Sequence, residues 1–335
     1  MAAAILQFFI AAGVIVIAGT ALTHFADTIA DLTRLGRLLV GSLFLAGATS
    51  LPELMVDLNA IGLGLPDLAV GDLMGSSLCN LLILAVLDMS RRSQGRMLSR
   101  LSAAHALSAA LSIVLTAIVV ISLLLAGRLA RFDFGGISIA NLAILLAYVL
   151  GIRLIFYNQR IAARHGEDSP QAVSVPAWRA ALLKAIAGYL IAADALLIAA
   201  PFLAEAAGQL AELTGLGNTF IGTTLVALST SLPELVASLA AVRMGAFDLA
   251  IANIFGSNSF NMVLLLPLDM AYPGALLAAV SATHAVTGLF IILVTALAVM
   301  GQLYQVERRI ALVEPDALLV ILLVLGALAT IYYLR

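Results

Sequence analysis

Thr49-Ser50-Leu51-Pro52-Glu53-Leu54 recurs, residue for residue, as Thr230-Ser231-Leu232-Pro233-Glu234-Leu235. Around it, residues 36–89 align without gaps onto 217–270, and 22 of the 54 positions are identical. The identities cluster. Asp67-Leu68-Ala69 returns as Asp248-Leu249-Ala250, Gly75-Ser76 and Asn80 as Gly256-Ser257 and Asn261, and Asp88-Met89 as Asp269-Met270. Further on, Ser102 and His105 correspond to Ser281 and His284. A duplication kept only for packing would preserve Leu and Gly. Here the preserved residues are polar, and they interrupt long apolar runs.

Those runs set the class of the protein. The chain has 335 residues, 63% of them hydrophobic and 11% charged, with a mean hydropathy of +1.12. Ordinary globular chains are about 25% charged, so this one has too little polar surface to cover a water-facing exterior. A cytosolic enzyme, a disordered chain and a nucleic-acid binder are excluded, the last also by a net charge of −2 without a basic cluster. The one cysteine, Cys79, excludes an internal disulfide framework and a thiolate metal cluster.

With about 20 residues needed per span, apolar runs predict ten transmembrane helices at 4–25, 37–62, 67–88, 101–127, 134–157, 180–203, 218–242, 247–268, 275–300 and 317–334. The first run has no basic leader and reads as a retained helix. The polar stretch 158–179, with Pro170 and Pro176, divides the chain into a first five-helix unit (1–157) and a second (180–335). Of the 17 Lys and Arg residues, all but Arg128, Arg131 and Arg335 fall beside the joins after spans 1, 3, 5, 7 and 9. The positive-inside rule then puts both termini outside. Five spans per unit is an odd number, so the second unit enters the membrane from the opposite face. Inverted repeats of this kind mark secondary transporters, with the substrate site at the midplane between the halves.

The chemistry follows from the repeated polar residues. A carboxylate at mid-membrane costs at least about 2.5 kcal/mol, so Glu53 and Glu234 require a compensating cation or protons. Pro52 and Pro233 each remove a helical backbone donor, which frees carbonyls near Ala48-Thr49 and Ser229-Thr230. Such breaks are tolerated in a bilayer only where the backbone is buried in protein or lines a cavity. Thr49 and Glu53 are one turn apart, as are Ser76 and Asn80, and the second repeat supplies Thr230 with Glu234 and Ser257 with Asn261. Two carboxylates, amide oxygens, hydroxyls and carbonyls form an all-oxygen set of the kind Ca²⁺ prefers. The motifs contain no His, and the one Cys of the chain, Cys79, cannot form a thiolate cluster, which argues against zinc or copper.

These paired segments resemble the calcium/cation antiporter superfamily, which includes the sodium/calcium exchangers. Each of its two repeats carries a T-S-L-P-E segment followed by a G-S-N-x-x-N/D segment. The resemblance implies an all-α fold of ten helices in two inverted five-helix repeats. It implies Glu53 and Glu234 as principal Ca²⁺ ligands, with Asn80 and Asn261 facing them. It further implies Thr49, Ser50, Ser76, Thr230, Ser231 and Ser257 as contributors to Na⁺ sites. The expected protein is not an enzyme and uses no cofactor. Its partners are inorganic cations and the lipid bilayer of a plasma (inner) membrane, with no nucleic-acid or protein partner. The sequence departs from the family pattern in several places. Ala48 and Ser229 replace glycine, Ser77 replaces the Asn of the first G-S-N, and Asn261 stands where sodium/calcium members carry Asp. Asp57 and Asp72 stand where the second repeat has Ser238 and Asn253. These two extra acids mark Asp57, Asp72 and Asn253 as candidate coupling or proton-binding positions, because a buried Asp can carry a proton. They leave H⁺-coupled exchange as the alternative to Na⁺ coupling. A passive cation channel and an intramembrane aspartyl protease are the remaining rivals, and the protease lacks its GxGD-type segment.

Overall fold

Backbone groups in a bilayer can be satisfied only within helices or closed barrels, and the long apolar runs here form helices. The computed structural model describes residues 2–89, 102–129, 133–134, 137–165, 175–213, 228–304 and 315–334. Among them are ten helices of 12 residues or more: α1 (Ala2–Thr33), α2 (Arg37–Gly62), α3 (Pro66–Met89), α4 (Ser102–Leu124), α5 (Ile139–His165), α6 (Val175–Leu213), α7 (Leu232–Arg243), α8 (Phe247–Ala271), α9 (Thr283–Tyr304) and α10 (Pro315–Leu334). Eight are long and apolar enough to cross a membrane, and the apolar stretch of α10, Ala317–Tyr333, is shorter. The described part of α7 has 12 residues, because the first half of the predicted span 218–242 lies largely outside the described residues.

Helix α8 is the most buried element and packs against α2, α3, α4, α5 and α7. Helices α1 and α6 lie at the periphery, packed along one another, with Phe9, Ile17, Leu183 and Ile191 exposed. Apolar exposure on this scale marks a membrane-facing surface. Small residues allow close contact between these helices, as is common in membranes. A Cβ on Gly188 would sit 2.3 Å from the Phe25 ring.

Several boundaries differ from the hydropathy expectation. Helix α5 runs on to His165 and α6 starts at Val175, so the polar connection is shorter than 158–179. Hydropathy marks where the bilayer ends, whereas a helix continues wherever local contacts support it. Arg153 stacks over Tyr157 and Arg160 over Phe156 at 5.8 and 5.3 Å from the ring centres. The expected span 275–300 is two pieces, Leu276–Ala279 and α9. Ser281 starts the second piece by accepting the Thr283 N–H at 3.2 Å, as a helix-capping serine does. In the connection before α5, two-residue strands β1 (Asp133–Phe134) and β2 (Ile137–Ser138) form a small antiparallel ladder.

The two halves interlock through equivalent contacts. His105 of α4 pairs with Asp248, in the first turn of α8, at 3.0 Å. His284 of α9 pairs with Asp67, in the first turn of α3, also at 3.0 Å. Asp67 also accepts the Ser281 N–H at 2.7 Å. In the sequence these residues stand out only as repeated positions. The structure joins them into two matching bridges, each linking one half to the other.

Candidate cation-binding site

The two glutamates are each placed beside a local irregularity of the backbone. Helix α2 passes, after its first three residues, into a π-helical stretch, Val40–Leu45, and continues as α-helix through Pro52 without stopping. Pro52 has no N–H to offer the Ala48 carbonyl, and Glu53 follows it directly. A π turn inside an α-helix often accompanies a functional site. The second copy is not a continuous helix. Residues 228–230 are helical, Ser231 is a turn, and α7 restarts at Leu232. Pro233 therefore occupies the first turn, where its missing donor costs nothing, and Glu234 follows within that turn. The expectation of two equivalent mid-helix prolines is corrected on this point: one is inside a helix, the other begins one. In the first turn, the backbone dipole favours an acidic group.

The residues proposed from the sequence as cation ligands or coupling positions are all buried, none more than 7% exposed. They come from four helices and the Ser229–Ser231 segment, and contacts cross between the halves. Ser50 Oγ donates to Glu234 Oε1 at 3.1 Å. Thr49 Oγ1 lies 3.4 Å from Ser257 Oγ and donates to Asn253 Oδ1 at 3.5 Å. Ser76 Oγ lies 3.5 Å from Thr230 Oγ1, which also donates to Asp72 Oδ1 at 3.5 Å. Glu53 and Glu234 are near enough for their charges to act on one another. Hydrogen bonds among these residues therefore run from one repeat to the other.

Other oxygens of the same group of residues are not used in these contacts. Glu53 Oε2, Glu234 Oε2, Asn80 Oδ1, Asn261 Oδ1 and Ser231 Oγ are buried and receive no hydrogen bond from the protein. A buried acceptor left unpaired costs about 1–3 kcal/mol, and more when charged. A cluster of them at one place fits a ligand that brings positive charge to oxygen. The amide groups are turned to match. Asn80 donates its Nδ2 to Asn258 Oδ1 at 3.0 Å, and Asn261 donates its Nδ2 to Ser77 Oγ at 3.4 Å and to the Leu73 carbonyl at 3.5 Å. Each amide thereby spends its donor on the scaffold and leaves its oxygen unpaired. Among the described residues no three His, Cys, Asp or Glu side chains gather in metal-holding geometry. The donors are two carboxylates and neutral oxygens, which suits hard cations.

Two scaffold residues were absent from the sequence-derived site. Asn258 bonds both Asn80 and the Ser77 carbonyl, the latter at 3.1 Å, and so ties α8 to α3. Its place as the third residue of the second G-S-N segment is the signal that could have found it. Gly256 permits the contact between α2 and α8: a Cβ there would stand 2.5 Å from Ser42 Cα and 2.6 Å from its carbonyl oxygen. Asp194, a further acid in an apolar helix, lies exposed on α6.

The sequence profile of the sodium/calcium exchanger protein family matches residues 3–159 and 184–332. The chain belongs to this family. Among characterised sequences, this exchanger-family chain is 31% identical over 245 residues to the inner membrane protein YrbG of Escherichia coli, covering 69% of this chain and 68% of that one. It is 51% identical to the sodium/calcium exchanger MaX1 of Methanosarcina acetivorans, over 57 residues, 17% of this chain and 16% of the relative. The solved structure of the sodium-calcium exchanger NCX_Mj superposes with a TM-score of 0.72 over 98% of both chains at 18% identity. That likeness establishes the fold: an all-α membrane protein of ten helices in two inverted five-helix repeats.

Proposed function

We propose that this exchanger-family antiporter moves Ca²⁺ against Na⁺ by alternating access, at a mid-membrane oxygen site shared by its two repeats. The observation that carries this is the set of buried, unpaired oxygens on Glu53, Glu234, Asn80 and Asn261. Two glutamates balance one divalent cation or two monovalent ones. Competition of the two loads for the same oxygens enforces exchange. An unloaded pair of buried carboxylates is costly to occlude, and this suppresses leak. Thr49, Ser50, Ser76, Thr230, Ser231 and Ser257 supply hydroxyls around the pair for the monovalent load. The mutual packing of α1 and α6 at the periphery supports their moving together past the buried bundle of α2, α3, α7 and α8. The arginine distribution supports both termini outside the cytoplasm, with residues 1–157 and 180–335 as the two functional halves.

Coupling to H⁺ is the second function considered, favoured by Asp57 and Asp72 in the first half and by Asn261 at a position where sodium/calcium members carry Asp. The test is ⁴⁵Ca²⁺ uptake into proteoliposomes. One arm has an outward Na⁺ gradient at matched pH, and the other a pH gradient without Na⁺. Uptake in the Na⁺ arm alone is expected. Uptake in the pH arm alone overturns Na⁺ coupling. Current without a counter-ion requirement overturns exchange itself.

A further inference from the structure

The two halves differ at one buried contact. In the second half, Asn253 Nδ2 of α8 donates to Ser238 Oγ of α7 at 3.1 Å. This neutral hydrogen bond joins the two helices that carry the second set of motifs. The gap-free repeat places Asp57 and Asp72 at the equivalent positions of α2 and α3. Both positions of the pair that touches in the second half are acidic in the first. Either change alone would leave an ordinary Ser–Asp or Asp–Asn hydrogen bond. Together they leave two acceptors with no donor between them.

The surroundings supply a hydroxyl to one oxygen of Asp72 and leave one oxygen of each carboxyl without a donor. Asp57 is 1% exposed and Asp72 7%. Each has a carboxyl oxygen, Oδ2, that is buried and receives no hydrogen bond from the protein. Among the described residues neither joins an ion pair. Asp57 and Asp72 lie near one another and near Glu53. Asp72 uses its other oxygen to accept from Thr230 Oγ1 at 3.5 Å, and Thr230 in turn touches Ser76. A carboxylate pair buried without a countercharge is strongly unfavourable, and two carboxylates with a hydroxyl beside them are hard-cation ligands.

We infer that Asp57 and Asp72 form a second cation site in the first half, distinct from the glutamate pair, which holds a hard alkali or alkaline-earth cation through carboxylate oxygen. Thr230 is the bridge by which its occupancy is felt at the central site. Because the second half keeps the neutral Ser238–Asn253 pair, the extra charge belongs to one repeat only, and the two orientations of the carrier become electrically unequal. This second site depends on the proposed Ca²⁺ exchange only for its biological use, not for its existence.

The test is equilibrium binding of ⁴⁵Ca²⁺ and, separately, ²²Na⁺ to the purified full chain in detergent. The wild type is compared with Asp57→Ser combined with Asp72→Asn, which copies the pair of the second half, and with Glu53→Gln combined with Glu234→Gln. The aspartate variant is expected to bind one cation fewer per chain, in the Ca²⁺ arm for a divalent occupant or in the Na⁺ arm for a monovalent one. The glutamate variant is expected to lose the other class and keep this one. Single Asp57→Asn, nearly isosteric, is expected to weaken the same class at least tenfold, and it serves if the double variant does not fold. An aspartate variant that binds as many cations as wild type in both arms overturns the second site. A glutamate variant that binds like wild type overturns the central site instead, so the two failures are separate.

Discussion

Replacing Gly256 with alanine adds one carbon atom where α8 crosses α2. That Cβ would stand 2.5 Å from Ser42 Cα, 2.6 Å from the Ser42 oxygen and 2.9 Å from Ala46 Cβ, whereas ordinary contact begins at 3.4 Å. Two of the three obstacles belong to backbone, so neither can rotate away. The helices must separate by about 1 Å, and overpacking of this kind costs about 1–3 kcal/mol. The same separation moves Ser257, the next residue, away from Thr49, which it now faces at 3.4 Å. If the strain falls on the ion-loaded form, Ca²⁺ affinity drops by a factor of about 5 to 150 at roughly 1.4 kcal/mol per decade. Gly47→Ala is the control on α2, because its Cβ would meet only the Phe260 ring, at an ordinary 3.7 Å. It gains about 1 kcal/mol of helix propensity without a clash. Both variants are assayed by thermal unfolding in detergent and by ⁴⁵Ca²⁺ binding. Equal behaviour of Gly256→Ala and Gly47→Ala in both assays refutes the close-packed crossing as the support of the site.

Other perturbations act on single contacts. Glu53→Gln and Glu234→Gln should each abolish ⁴⁵Ca²⁺ uptake in proteoliposomes while leaving the unfolding temperature near wild type. Transport retained in either would remove that glutamate from the site. Ser50→Ala removes the 3.1 Å hydrogen bond to Glu234. A bond to a charged group is worth about 1.5–3 kcal/mol, so the midpoint for Ca²⁺ uptake should shift roughly tenfold or more, and an unchanged midpoint would make the contact incidental. His105→Ala should lower thermal stability more than His284→Ala. His105 is 2% exposed and His284 13%, although both pair with an aspartate at 3.0 Å. The reverse order in a melting experiment would show that burial does not govern these two bridges.

The buried polar residues of the candidate site were legible in the sequence because polar side chains in an apolar run stand out, and the duplication named them twice. The helix count was legible for the same reason. What the sequence concealed was how equivalent motifs take different local shapes. The two T-S-L-P-E segments are identical, yet one runs on as helix through Pro52 and the other turns at Ser231. Identical hexapeptides cannot encode that difference, so flanking residues and tertiary packing must set it. The π-helical stretch at Val40–Leu45 has no local signature either. The His105–Asp248 and His284–Asp67 bridges join residues more than a hundred positions apart, and only the inverted packing of the halves brings them together. Helix ends at His165 and Val175 lay beyond the hydropathy signal, which records the bilayer rather than the helix.

The most direct measurement is the anomalous scattering of Sr²⁺ soaked into crystals of the full chain in place of Ca²⁺. The central claim predicts a peak between the carboxylates of Glu53 and Glu234, within coordination distance of the amide oxygens of Asn80 and Asn261. A well-ordered site with no peak between the two glutamates, at Sr²⁺ concentrations that inhibit ⁴⁵Ca²⁺ uptake, would contradict it.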